Sequence, residues 1–190
     1  MSLILTSAPV LEPVTVSEAK AHLRLDGTAE DVLVASLILT SRLHVEAALG
    51  LALITQGWRL TLDRWPEGAV RFPLRPIQSV TSVSVRAADS TPAVMPPEDY
   101  LLDGHALKPR LIARGGKWPE PGLGAGGIEI AFAAGLGDAA ADVPEPIRHA
   151  ILLLVAHWYE HRDPLEVGSA RAAIPAAVSD LLRPYHEVRL

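Results

Sequence analysis

Residues 43–62, LHVEAALGLALITQGWRLTL, contain the change of pattern that decides the fold. Up to Leu49 the apolar residues follow a helical spacing, and Gly50 is placed to end that helix. From residue 56 onward apolar and polar residues alternate, as they do in a strand with one buried face. The alternating apolar residues are Trp58, Leu60 and Leu62. The chain therefore passes from helix to β-structure within this short stretch.

Helical patterns precede this change. Thr15 and Glu18 have the spacing of a capping box, which predicts a helix that ends near Leu25. A second helix is expected from about Ala29 to Leu49. Its apolar residues occupy more than one stripe, so we expect other protein surfaces to cover this helix on more than one side.

The segment after residue 54 has the texture of β-structure, with prolines and glycines between short alternating runs. No intervening segment is long and periodic enough to be a crossover helix, which predicts antiparallel pairing. The candidate strands are Gln56 to Asp63, Ala69 to Phe72, Val80 to Arg86, Tyr100 to Leu102 and Ile128 to Ala133.

Helical patterns return after residue 143. Pro144 and Pro146 suit the first turn of a third helix that continues from Ile147 to Arg162. A fourth helix is expected from Pro175 to about Arg183. The sequence therefore predicts an α+β fold in which a discontinuous helical domain of about four helices carries an antiparallel β-rich insertion. The expected division is 1–53 (helical domain, first part), 54–139 (β-rich insertion) and 140–190 (helical domain, second part, with a C-terminal tail).

The composition narrows the classes of function. The chain has no cysteine, so disulfides and thiolate nucleophiles or metal ligands are excluded. Its net charge is -5 and no run of Lys or Arg occurs, which argues against general attraction to nucleic acid. Met1 to Val10 lacks the pattern of a signal peptide, and the longest apolar run, Ala150 to Ala156, is far shorter than the roughly 20 residues that span a bilayer. We expect a cytoplasmic chain with no membrane contact.

One motif is typical of an enzyme. His157, Glu160 and His161 match the H-x-x-E-H pattern, which places two imidazoles on one helical face beside a carboxylate, as in one group of zinc peptidases. The motif lies in the last turn of the third helix, where histidine is favoured by the helix dipole, and no third ligand is evident. We therefore expect a structural helix end that places Trp158 in the core, and keep a zinc-dependent hydrolase as an alternative.

The glycine-rich segment also resembles a known ligand motif. Gly122, Gly124 and Gly127 spell G-x-G-x-x-G, which binds a pyrophosphate when a strand precedes it and a helix follows. Here an expected strand follows, so the glycines predict a loop between strands. No catalytic constellation and no cofactor are predicted. A monomeric binding module, with a concave pocket in the β-rich insertion, remains a further alternative.

Several segments lie in a characteristic order over nearly the whole chain: VTVSEAKAHLRL (14–25), HVEA (44–47), LITQ (53–56), PLRPIQSV (73–80), VPEPIR (143–148) and residues 152–160. Their order resembles that of the head-tail connector (adaptor) proteins of long-tailed phages and phage-like gene transfer agents. The loop at residues 87–97 and the glycine-rich segment match no fixed pattern of that family.

The resemblance implies a structural protein without catalysis. Many copies, twelve in the family expectation, form a ring beneath the portal protein and join it to a tail-side connector or stopper protein. DNA passes through the channel of such a ring without specific binding. The implied location is the bacterial cytoplasm during assembly and then the head-tail junction of the virion or phage-like particle.

The C-terminal segment is the expected interaction site. A helix of roughly eight to ten residues is only marginally stable without tertiary contacts, so we expect residues 175–190 to dock on the portal or on a neighbouring subunit, outside the core of their own subunit. Apolar and arginine side chains continue to the end of the chain, and such residues are enriched at interfaces. The residues expected to make this contact are Arg183, Tyr185, Val188, Arg189 and Leu190.

Overall fold

The computed structural model describes residues 1–161 and 174–186, and within them the chain forms four α-helices and eight β-strands. The helices are α1 (Val16–Leu23), α2 (Asp31–Leu49), α3 (Glu145–Glu160) and α4 (Ala176–Leu182). The strands are β1 (Ser2–Ser7), β2 (Gln56–Leu62), β3 (Val70–Arg71), β4 (Ile77–Arg86), β5 (Pro92–Val94), β6 (Tyr100–Asp103), β7 (Arg110–Ala113) and β8 (Ile128–Ala134). All pairs between these strands are antiparallel, and the predicted α+β fold is confirmed.

The chain divides into two compact units. The β unit contains residues 1–10 and 55–136, and the helical unit contains residues 11–54 together with the described residues from 137 onward. The first ten residues, which the sequence pattern assigns to the helical domain, lie in the β unit because β1 pairs with β2 from Ser2 to Ser7.

The larger sheet of the β unit has the strand order β1-β2-β8-β4-β5. Its central strand, β8, alternates strictly between buried and half-buried residues, as the sequence pattern predicts for a strand with one buried face. The register places Leu60 opposite Ile130 and Leu62 opposite Ile128, so the buried residues of β2 and β8 lie on the same face of the sheet. The buried faces of these strands supply much of the core of the unit.

A second sheet, of order β3-β7-β6, completes the β unit. Phe72, directly after β3, contacts Phe132 of β8 edge to face, with ring centroids 4.9 Å apart. Aromatic pairs favour this arrangement, which links the small sheet to the large one. Leu111 of β7 is fully buried, and Val70 of β3 is 2% exposed.

The helical unit consists of α2 packed on α3, with α4 also on α3 and α1 in contact with both α2 and α3. The buried residues recur at helical spacing, for example Val34, Ile38 and Val45 of α2. In α3 they are Ile147, Ala150, Ile151, Leu154 and Val155. These faces form the hydrophobic core of the unit.

The helix ends follow the sequence signals. The capping box of α1 is present: the hydroxyl oxygen of Thr15 accepts from the N–H of Glu18, at 3.1 Å, and Glu18 accepts from the N–H of Thr15, at 2.7 Å. Gly50 ends α2 with φ 63°, a left-handed conformation that glycine adopts without strain. Both predictions are confirmed.

By length and composition alone, α2 is apolar enough to cross a membrane. Such a result for one helix is weak evidence, because the core helix of a globular unit passes the same test. Here α2 packs on α3 and contains the buried charged residues Arg42 and Glu46, which are costly in hydrocarbon.

Candidate interaction surfaces

The outward face of α2 carries large apolar side chains. Val32 is 85% exposed, Leu39 43% and Leu43 50%. Their spacings of seven and four residues place them in one stripe along the helix. Exposed small or uncharged residues flank the stripe: Ala35, Ser36, Thr40 and Ala47. We call these seven residues the α2 outward face.

The charged residues of α2 after Asp31 are buried. Arg42 is 4% exposed, and its Nε donates to Glu12 at 2.7 Å while its Nη1 donates to Glu46 at 2.7 Å. The other carboxylate oxygen of Glu46 accepts from the N–H of Leu53 at 2.9 Å. Burial acts to lower the pKa of Arg42, but Glu12 and Glu46 together outweigh it and raise the pKa above its ordinary value.

The distribution of charge on α2 therefore differs from that of an ordinary surface helix. A surface helix usually keeps its charges in water and its apolar stripe in the core. In α2 the ion pair lies inside, while an uncharged apolar stripe lies outside. The sequence showed the apolar surplus of this helix, and the structure shows which face carries it.

The C-terminal segment is only partly available for docking. Val178 and Leu182 of α4 are buried, and α4 packs on α3. The fourth helix thus belongs to the core of the helical unit, which corrects the expectation that the whole segment from residue 175 docks outside it. The α3 surface stabilises this short helix, as a marginal helix requires.

The predicted interaction residues lie after α4. Arg183 is exposed and Tyr185 is half-buried. Val188, Arg189 and Leu190 lie outside the described residues. The structure therefore brings Arg183 and Tyr185 together in one short turn after α4, and their docking role remains a prediction.

The histidines of the H-x-x-E-H motif lie at the end of α3. The imidazole rings of His157 and His161 are 4.6 Å apart between centroids, and Nδ1 of His161 lies 2.8 Å from the carbonyl oxygen of His157. Trp158 is half-buried and makes an edge contact with His44 of α2. Among residues 1–161 and 174–186, no group of three or more potential ligand side chains is placed to hold a metal ion. Within that range the geometry shows no zinc site.

The glycine-rich segment lies in the β unit between β7 and β8, and a strand follows it. The N–H of Gly122 donates to the carbonyl oxygen of Arg86 at 2.8 Å, and an added Cβ at Gly122 would lie 2.2 Å from the backbone nitrogen of Ala88. Glycine is therefore required here for close backbone approach between two loops. The segment has the geometry of a structural loop, as the sequence predicts.

The β unit has an open cavity of about 640 Å³ beside β5. Its apolar lining includes Val85, Val94, Met95 and Trp118, and its charged lining includes Arg86 and Lys117. Trp118 stacks on Trp65, with ring centroids 4.2 Å apart, and Trp65 donates to the carbonyl oxygen of Pro119 at 2.7 Å. Arg86 is held by Glu129 at 2.7 Å. The β unit thus has a concave surface of the kind expected of a binding module.

Among the solved structures that are similar to the chain, three match it over its whole length. One is described as the virion of a native gene transfer agent particle: it shares 29% identity, with all of this chain and 97% of that chain covered, at a TM-score of 0.85. All three come from gene transfer agent particles. No family model matches the chain, and neither does any curated protein.

The other two structures are particle necks. The neck of an empty particle, computed with C6 symmetry, shares 28% identity at a TM-score of 0.86. The neck of a native particle, computed with C12 symmetry, shares 27% identity at 0.80. Each match covers all of this chain and 97% of the other. The chain is therefore similar, in sequence and in fold, to structural components of a gene transfer agent neck.

Proposed function

We propose that the chain is a head-tail connector (adaptor) subunit, which forms a ring beneath the portal and joins the capsid to the tail of a tailed phage or gene transfer agent. Its partners are the portal protein on one side and a tail-side connector or stopper protein on the other. It assembles in the bacterial cytoplasm and then remains at the head-tail junction.

The observation that carries this proposal is similarity over the full chain to neck components. An identity of 27–29% over the entire chain extends to both units, so it does not rest on a shared small motif. Cyclic symmetry relates identical copies about one axis, and a closed ring of identical subunits has this symmetry. The α2 outward face supports the proposal, because a subunit that assembles into a ring needs exposed apolar surface that its partners can bury.

The proposed role is structural and needs no cofactor. The net charge of -5 suits a channel that DNA passes without adhering to its wall, because nonspecific binding to the phosphate backbone requires clustered Lys and Arg.

The test is the amount and position of the protein in purified particles. Mass spectrometry with isotope-labelled peptide standards should find about twelve copies per particle, in line with the C12 symmetry with which the native neck was computed. Deletion of the gene should leave DNA-filled heads without tails, and plasmid expression of the chain should restore complete particles. Particles that lack the protein, or a deletion strain that still makes complete infectious or gene-transferring particles, would refute the proposal.

Within this function, we propose that the C-terminal residues Arg183, Tyr185, Val188, Arg189 and Leu190 dock on the portal or a neighbouring subunit. Truncation after Pro184 removes all of this set except Arg183, and truncation after His186 also spares Tyr185. Docking predicts that the truncation after His186 yields a subunit with a normal melting temperature that fails to join the portal or tail. If both truncated proteins still complete active particles, the docking role is excluded. If the subunit unfolds, the segment serves its own helical unit.

A further inference from the structure

The α2 outward face lacks charge along its full length. No charged residue occurs between Asp31 and Arg42, and the charges of Arg42 and Glu46 are directed into buried ion pairs. The large exposed residues Val32, Leu39 and Leu43 therefore form an apolar stripe in the helical unit, with small residues between them. Exposed apolar patches of a few hundred Å² are often functional, so this face is suited to a partner.

The residue types of the α2 outward face exclude two kinds of partner, DNA and a membrane. DNA is bound through cations that neutralise phosphates, and the α2 outward face has no Lys or Arg. A helix that lies on a membrane has Lys or Arg on its polar side and Trp or Phe near its apolar side, whereas the outward face has neither aromatic nor basic residues. A protein surface with its own apolar residues is the occupant that fits.

We infer that the α2 outward face is covered by a second copy of this chain, as one half of the contact between neighbouring subunits of the ring. The inference rests on the proposed function. It is argued from the cyclic symmetry of the necks to which the chain is similar, because every subunit of a closed ring must contact two identical neighbours.

Cyclic symmetry also determines which kind of surface on the neighbouring subunit the α2 outward face contacts. In a ring of more than two subunits the contact is heterologous, so the α2 outward face of one subunit meets a different surface of the next. We therefore expect α2 of one copy not to lie against α2 of its neighbour. A two-fold dimer would instead place α2 against α2.

The α2 outward face is too small to be the whole contact between two subunits, so we expect it to form the centre of that contact. A helix of 19 residues is about 28 Å long and about 10 Å wide, so one face offers roughly 300 Å². A stable interface buries about 800 Å² on each partner. Residues outside α2 must contribute the rest, while the uncharged apolar centre is typical of the most buried part of an interface.

Photo-crosslinking gives a direct test. Because the chain contains no cysteine, a single introduced thiol attaches the crosslinker at one chosen residue. Ser36→Cys places one thiol on the α2 outward face, and Ser79→Cys places one at an exposed residue of β4 in the β unit as a matched control. Each variant is labelled with benzophenone maleimide, added to portal-containing heads from the deletion strain, and irradiated. Ser36→Cys should give a band at twice the subunit mass of 20.3 kDa and higher multiples. Oxidation without the label should give no disulfide-linked dimer, since α2 does not meet α2.

The outcomes separate this inference from the proposed function. Failure of the subunit to bind heads counts against the connector role itself. If the labelled Ser36→Cys variant binds heads but crosslinks only to the portal or tail protein, or only within its own chain, the inference is overturned and the connector role stands. A disulfide-linked dimer of the unlabelled Ser36→Cys variant would overturn the ring geometry. Co-sedimentation of the unlabelled subunit with phosphatidylglycerol vesicles would assign the face to a membrane and overturn the inference.

A pair of substitutions provides an independent test. Leu43→Glu adds a charge to the α2 outward face, and Leu101→Glu adds one to the β unit at a residue of nearly equal exposure, 48% against 50%. Both should change the melting temperature by less than about 3 °C, since both side chains are exposed. L43E should lower incorporation into particles at least tenfold, while L101E should incorporate normally. Normal incorporation of L43E would overturn the inference, and if L43E unfolds, the crosslink of the Ser36→Cys variant decides.

Discussion

Arg42 joins two carboxylates inside the helical unit, and Glu46 in turn binds the backbone of Leu53. Removing one member of a buried pair leaves an uncompensated charge, which costs about 3–5 kcal/mol. Arg42→Met should therefore lower the free energy of unfolding by about 3 kcal/mol, measured by urea denaturation of the purified subunit.

The control is an exposed ion pair of the β unit. Arg110 and Asp103 are paired at 3.0 Å with 53% and 36% of their side chains exposed. Exposed pairs contribute only about 0–1 kcal/mol, so Arg110→Met should have a small effect. If Arg42→Met and Arg110→Met lowered the free energy of unfolding equally, burial would not be the reason why the ion pairs of Arg42 stabilise the protein.

His157 and His161 are expected to be structural. The double substitution H157Q/H161Q keeps polar side chains of similar reach at the end of α3, so it should leave particle assembly largely intact. Elemental analysis of protein purified without a histidine tag should find no stoichiometric zinc. Stoichiometric zinc that disappears in the double variant would support the hydrolase alternative and contradict this prediction.

The first turn of α1 depends on the Thr15 hydroxyl as its cap. Thr15→Ala removes the hydrogen bond to the N–H of Glu18 and should lower the free energy of unfolding by about 1 kcal/mol. Ser17→Ala is the matched control, because Ser17 lies in the same turn and alanine is the better helix former. If both variants unfold at the same urea concentration as the wild type, the cap does not contribute to stability.

The same cap makes stability depend on pH through Glu18. Hydrogen bonds from the backbone N–H and then the hydroxyl of Thr15 lower the pKa of Glu18, with a smaller contribution from Arg148 and against the effect of burial. A lowered folded-state pKa gives stability that is present above the unfolded pKa, about 4.3, and lost as the pH falls through the folded pKa. The stability difference between wild type and Glu18→Gln should therefore shrink as the pH falls below about 5. The exposed Glu120→Gln serves as the control, and a difference that grows with acidity would contradict the assignment.

The helices and the long strands could be predicted from sequence because each carries its own signal. The capping box marks α1, Gly50 ends α2, and β2, β4 and β8 each extend over seven or more residues with alternating stretches. The strands that were missed, β1, β5 and β7, lack such a signal. Strand β1 is mostly exposed, β5 has three exposed residues and begins with proline, and β7 (RLIA) has three apolar residues in a row and no alternation of apolar and polar residues. Each of them is a strand because it pairs with another strand: β1 pairs with β2, which is distant in the chain, β5 pairs with β4 across a loop, and β7 pairs with β6 across a loop.

The candidate surfaces were predictable only in part. The excess of apolar residues in α2 is visible in the sequence, but the outward face is defined by which residues α3 and the segment at Glu12 leave uncovered. The segment after residue 175 combines a buried helix with exposed residues after it, and only the burial of Val178 and Leu182 separates the two. Both distinctions depend on tertiary packing.

The charge of the whole molecule leads to a prediction about DNA. A subunit with net charge -5 and no cluster of Lys or Arg should release few counterions on contact with a duplex. We expect no retardation of a duplex of about 200 base pairs by about 10 μM protein at about 150 mM salt in a gel-shift assay. A basic protein of similar size is the positive control, and binding that weakens steeply with salt would contradict the proposed passive channel wall.

The division of the helical unit between two distant parts of the chain has a consequence for synthesis on the ribosome. The β unit can close once residue 136 has emerged, whereas α1 and α2 must wait for α3 and α4. At about 5–20 residues per second, the 111 residues between the end of α2 and the end of α3 take about 6–22 s to be synthesised. During that interval the buried stripe of α2 lacks α3, against which it packs, so the nascent subunit is most vulnerable to aggregation before α3 leaves the ribosome.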